Sequence, residues 1–115
     1  MDNTTRKQKF LEAIKHGHTT IASQHMDEDL HYHNKNSSEA CTLAATHGQL
    51  ASLKYLHEIG FKWDEETMLA AAKAGSSNCL IYLYEQGCKR TEDVIRVLEE
   101  RGDIHNLKYI SKERV

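Results

Sequence analysis

The chain has 115 residues, 39% of them hydrophobic and 28% charged, with a formal net charge of −2 at pH 7. That length and balance fit one folded domain, and the near-neutral charge leaves any binding to nucleic acid or an anionic membrane to a local patch. The longest apolar stretch, Met68 to Ala72, is far shorter than the roughly 18–20 residues of a membrane span.

The opening Met1-Asp2-Asn3-Thr4-Thr5-Arg6-Lys7 lacks the apolar core of a signal peptide, which predicts a cytoplasmic protein in reducing surroundings. A first unit, residues 5–26, has Phe10, Ala13 and Ile14 as its apolar face and Gly17 as its turn. Between Met26 and Ser37 the run Asp27-Glu28-Asp29-Leu30-His31-Tyr32-His33-Asn34-Lys35-Asn36 reads as a longer loop. The interval from Gly17 to Gly48 is 31 residues, whereas Gly48, Gly75 and Gly102 recur every 27. Three further units follow over residues 37–60, 64–87 and 91–112, the first two closing on Gly60 and Gly87.

Superposing the chain on itself at that interval separates scaffold from the rest. Ser37, Asp64 and Thr91 form a column of residues that cap helices, and Ser38-Glu39, Glu65-Glu66 and Glu92-Asp93 follow with negative charge where a helix dipole favours it. Cys41, Met68 and Ile95 lead the apolar stripe of a first helix, and Ala45 and Ala72 let a neighbour approach closely. Glu99 replaces that alanine in the last unit, as a terminal repeat facing water would require. After the glycine, with Ser76 and Asp103 as available caps, a second helix carries Leu53, Leu80 and Leu107, then Tyr55, Tyr82 and Tyr109, then Leu56, Leu83 and Ile110. Proline is absent, and the glycines serve as punctuation. The expectation is an all-α domain over residues 1–115, a short solenoid of four helix-turn-helix units with eight helices.

The run Leu43-Ala44-Ala45-Thr46-His47-Gly48-Gln49-Leu50, continued by Leu53-Lys54-Tyr55-Leu56-His57-Glu58-Ile59-Gly60, resembles an ankyrin repeat. The likeness recurs in register at Ala70-Ala71-Ala72-Lys73-Ala74-Gly75, and Gly17-His18 matches the family's Gly-His turn; it spans about residues 10 to 110. The family's unit is longer, about 33 residues with a β-turn finger. Here Glu39-Ala40-Cys41-Thr42 and Glu66-Thr67-Met68-Leu69 stand where a Thr-Pro-Leu-His opening is usual, which predicts fingers truncated to short loops. Phe61-Lys62-Trp63-Asp64-Glu65-Glu66-Thr67 is similar to the divergent ankyrin-like repeats of large DNA viruses and some protists. The resemblance implies a non-enzymatic protein-binding scaffold, in the host cytoplasm if viral.

Candidate contact residues lie outside the scaffold columns. Lys35, Lys62 and Lys89 share one column in the inter-unit loops, with Arg90 after Lys89. Such a lysine ladder suits either a partner with an acidic surface or a solvated edge that keeps the loops soluble. Trp63 is the only tryptophan, and its column mates are Asn36 and Arg90. Trp and Arg favour interface hot spots, so Trp63 and Arg90 are nominated as contacts, against a reading in which Trp63 folds back over the next helix. The residues before the turn glycines vary while their surroundings repeat: Lys15-His16, Thr46-His47, Lys73-Ala74 and Glu100-Arg101. Thr46, His47 and Lys73 therefore join the candidate binding face, which in ankyrin-like scaffolds is formed by that variable face and the loop tips.

The histidines number eight, and His25, His31, His33 and Cys41 are close enough in sequence to raise a metal site. His31 and His33 share a face only if that stretch is extended, and Cys41 belongs to a core column. A metal-binding or nucleic-acid-associated role, through the His-rich loop or the lysine ladder, is kept as the alternative. No metal or cofactor is expected. Cys41, Cys79 and Cys88 form an odd set without Cys-x-x-Cys spacing and read as ordinary thiols. No nucleophile-base pair or phosphate loop stands out, so no enzyme is expected. Self-association through an end of the stack is a further expectation. The tail Glu113-Arg114-Val115 is a weak candidate for carboxylate capture.

Overall fold

Glycine at each predicted turn lets the chain reverse. In the computed structural model, which describes residues 3–111, all six glycines adopt positive φ, from +66° to +88°. At Gly17 the close approach matters as well, because a Cβ there would lie 2.6 Å from Gln49 Oε1 of the next unit.

The described residues form nine α-helices and no strand. They are α1 (Asn3–Lys15), α2 (Thr19–His25), α3 (Glu28–Asn34), α4 (Glu39–Thr46), α5 (Leu50–Glu58), α6 (Glu65–Ala74), α7 (Ser77–Glu85), α8 (Glu92–Arg101) and α9 (Ile104–Ser111). Four hairpins, α1–α2, α4–α5, α6–α7 and α8–α9, stack side by side. An inner row packs α1 on α4, α4 on α6 and α6 on α8, while an outer row packs α2 on α5, α5 on α7 and α7 on α9. The result is elongated, 50 × 21 × 19 Å.

Residue size explains the closest seam. Ala44, Ala45, Ala71 and Ala72 are buried, so α4 and α6 share the most extensive contact of any helix pair. Leu53, Leu56, Leu80 and Leu83 of the outer helices are fully buried, together with Phe10, Ile14, Met68 and Leu98 from the inner row; each side chain of this size contributes about 1.5–3 kcal/mol when removed from water. Glu99, which takes the place of Ala72 in the last unit, is exposed, so the C-terminal hairpin presents a charged outer surface.

Polar atoms inside the stack are spent on stitching units together. Ser52 Oγ donates to the Ile14 carbonyl at 2.8 Å, the Thr42 and Thr67 hydroxyls meet at 3.0 Å, and Asn106 Nδ2 donates to Ser77 Oγ at 2.8 Å. The Lys62 amide donates to the Lys35 carbonyl at 2.8 Å, joining consecutive inter-unit loops.

The structure corrects two sequence expectations. Residues 27–36 are not a long loop, because most of them form α3. Asp27 accepts from the Leu30 amide at 2.8 Å, Glu28 and Asp29 supply negative charge to the first turn, and Leu30 is buried. Arg6 of α1 forms an ion pair with Asp27, and His31 reaches the Ile59 carbonyl at 2.6 Å, so this extra helix is tied to neighbouring units at its N-cap and at its middle. The capping column is also uneven. Asp64 closes a capping box with Thr67, whereas Thr91 occupies the N-cap of α8 without a side-chain hydrogen bond. Ser37 Oγ accepts from the Glu39 amide at 3.2 Å although Ser38 holds the N-cap position of α4.

Candidate functional site

Each inter-unit loop delivers the chain to the first turn of the next inner helix, and the loop before α6 builds the most varied surface. Phe61 is buried against Phe10 (ring centroids 5.8 Å apart) and His31 (5.5 Å), which anchors the loop. Two residues later Trp63 is half-buried. Its indole stacks on His57 at 4.2 Å with the planes 9° apart, and Tyr82 meets it edge-on at 6.0 Å. Lys54 Nζ lies 5.7 Å from the centre of the Tyr82 ring. Trp63 is thus held by its own scaffold, with one face supported by the imidazole.

Beside it opens a cleft of about 410 Å³ lined by Trp63, Asp64, Glu65, Glu66, Gly87, Cys88 and Lys89. Asp64 Oδ1 is occupied by the Glu66 and Thr67 amides at 3.0 and 3.3 Å. Glu65 pairs with Lys89 at 3.8 Å, but their side chains are 54% and 81% exposed, so the pair contributes little stability. Among the described residues no ion pair engages Glu66. A second recess of about 550 Å³ lies on the inner row, bordered by Leu11, Ser37, Ser38, Glu39, Thr42, Leu43, Thr46 and Glu66. Glu66 borders both, so one residue of the first turn of α6 is shared by a recess on the loop edge and a recess on the inner helices. Glu39 on the far rim pairs with Lys7 at 3.0 Å.

No family model, curated protein or solved structure matches this chain.

The predicted contact residues divide by position. Trp63 and Lys89 line the loop cleft and Thr46 lines the inner recess. Lys62 is exposed on the same loop, and Lys35 is half-buried with its carbonyl occupied. Arg90 is half-buried, and its Nη1 is out of solvent contact with no hydrogen-bond partner among the described residues. His47 and Lys73 are exposed at the C-terminal ends of α4 and α6, where Arg101 Nη1 donates to the Lys73 carbonyl at 3.0 Å. The lysine ladder therefore does not form a uniformly basic edge, since Asp64, Glu65 and Glu66 interrupt it beside Lys89. Leu11, Leu43 and Glu66 were not singled out by sequence. Glu66 belongs to the column Glu39, Glu66, Asp93, which helix dipoles account for, and nothing in the columns sets Leu11 or Leu43 apart from other apolar positions.

His31 and His33 lie on helix α3, so two residues' separation turns them about 200° apart rather than onto one face. His31 is committed to the Ile59 carbonyl, and His33 pairs with Asp29 at 3.3 Å. Among the described residues no three His, Cys, Asp or Glu side chains gather into a metal-ligand cluster. Burial pushes the Cys41 thiol up to about 12, with smaller contributions from Cys88 and Asp64, and pushes Cys79 and Cys88 up to about 11. All three cysteines are free. No described helix is long and apolar enough to cross a membrane. The tail residues 113–115 lie outside the described residues.

Proposed function

We propose that the chain is a short ankyrin-like α-solenoid that acts as a non-enzymatic scaffold, binding another protein through its loop edge and first-helix face. The observation that carries this reading is the pair of recesses that share Glu66. Their aromatic, aliphatic and carboxylate lining comes from three successive units. A surface of that kind needs the stack to be built first. Sequence columns at the glycines, alanine seams and Leu-Tyr-x-Leu stripe supply the stack, and Leu43, Trp63 and Glu66 supply the contact.

Support also comes from the register. The edge-on pair His57–Tyr82 (6.1 Å) recurs one unit later as Tyr84–Tyr109 (5.6 Å), with Arg90 in place of Trp63. The geometry repeats while the chemistry at its edge changes, as expected of a repeat scaffold whose edge is specialised. Truncated fingers accord with the short run from Gly60 to Glu65. Three free, buried thiols suit a reducing compartment such as cytoplasm, host cytoplasm if the protein is viral.

The test is capture of a partner from cells that express the protein, comparing the native chain with a Trp63→Ala, Leu43→Ser double variant. The double variant should keep its far-ultraviolet circular dichroism and lose the partner. Unchanged capture would move the contact surface elsewhere.

A further inference from the structure

The charge of the two recesses points to the chemistry of what they bind, on the reading that this surface is the contact face. We infer that it takes a basic, apolar peptide segment of the partner protein: a Lys or Arg side chain beside Trp63, Glu65 and Glu66, and an aliphatic side chain between Leu11 and Leu43. The assignment runs opposite to the acidic partner that a lysine ladder alone would select.

Four observations carry it. Glu66 is exposed, has no ion pair among the described residues, and borders both recesses, so a cation placed there meets a carboxylate from either side. Trp63 is held in place by His57 and Tyr82 and lines the first recess, which gives an incoming ammonium or guanidinium an aromatic surface as well as a carboxylate. The charged groups bordering the inner recess are Glu39, already paired with Lys7 at 3.0 Å, and Glu66, which no ion pair engages among the described residues; Leu11 and Leu43 border the same recess half-buried. The single lysine in the loop cleft, Lys89, already occupies the role proposed for the ligand. It reaches Glu65 at 3.8 Å from a largely exposed position, and such a pair is readily displaced.

Spacing in the ligand follows from the scaffold. Packed helices lie about 8–10 Å apart, a step that a basic and an aliphatic residue three or four positions apart on a peptide helix would span. Neighbours on one helical face are about 5–6 Å apart at Cβ, and side-chain length covers the remainder.

The experiment uses the full chain and a random twelve-residue peptide library displayed on phage, followed by fluorescence anisotropy of synthesised winners against single-site variants. The expected winners combine Lys or Arg with Leu, Ile or Val. They should bind Glu66→Gln about two- to fivefold more weakly and Glu66→Lys more weakly still, and bind Lys89→Ala about two- to threefold more tightly, because Glu65 is released. Circular dichroism melts of each variant exclude unfolding as the cause, and the isosteric Glu66→Gln keeps the test valid if Glu66→Lys is unstable. Acidic winners that weaken with Lys89→Ala and Lys62→Ala would overturn this inference while keeping the binding-scaffold reading. Winners insensitive to every one of these changes and to Trp63→Ala, or no winners at all, would overturn both.

Discussion

Replacing Phe61 by alanine tests whether the extra helix and the inter-unit loop are held by one aromatic contact. Phe61 is 3% exposed, packs on Phe10 of α1 and His31 of α3, and donates its amide to the Leu56 carbonyl at 2.9 Å. Phe→Ala at a buried site costs about 3–5 kcal/mol, the lost transfer energy plus the cavity left behind. A domain of this size has about 5–15 kcal/mol in total, so Phe61→Ala should lower the thermal midpoint by more than about 12 °C, taking about 4–8 °C per kcal/mol for small domains. Urea unfolding followed by circular dichroism gives the free energy directly, and the exposed neighbour Lys62→Ala, expected within about 0.5 kcal/mol of native, is the control. A loss under about 1 kcal/mol for Phe61→Ala would mean that the ring contributes little more than a surface side chain and that other contacts hold the loop and α3.

The uneven capping column makes a paired prediction. Asp64→Ala should cost about 1 kcal/mol by removing a closed capping box, and Thr91→Asp should gain up to about 1 kcal/mol by capping α8 where no side-chain bond exists; equal and null effects in urea melts would contradict it. The thiols give a pH dependence. Their folded values lie above the ordinary 9.0, at about 12 for Cys41 and about 11 for Cys79 and Cys88, so the stability they lend is intact below pH 9 and is lost as pH rises from there towards 12. Melting temperature should therefore fall over that range, and Ellman's reagent at pH 8 should label the cysteines only as fast as the chain opens. Instant labelling of all three would show that they are not buried.

The glycine turns and alanine seams were legible because they are local and repeated. Positive φ demands glycine wherever the turn occurs, and a small residue is required wherever two helices touch. Helix α3 was not legible because it has no counterpart one interval away, so the column comparison placed Asp27 and Leu30 among loop residues. Its own signals, an acid followed three residues later by an apolar side chain, only gain meaning from Phe61 and Arg6 packing around them. Trp63 stood out by sequence as an aromatic misfit in its column, and the structure adds that His57 and Tyr82 hold it. Glu66 was hidden for a different reason. A first-turn carboxylate is fully explained by the helix dipole, and its second position, between two recesses, depends on how α4, α6 and the following loop come together.

Where a bound peptide touches the chain decides whether the shared recesses are the contact surface. Titrating the tightest-binding library peptide into isotope-labelled protein and following backbone amide shifts by nuclear magnetic resonance reads this residue by residue. Binding in the two recesses should give saturable shifts concentrated at Leu11, Thr42 to Thr46, Trp63 to Glu66 and Cys88 to Lys89. Shifts confined to the outer helices α5 and α7 or to α3, or the absence of saturable shifts, would contradict it.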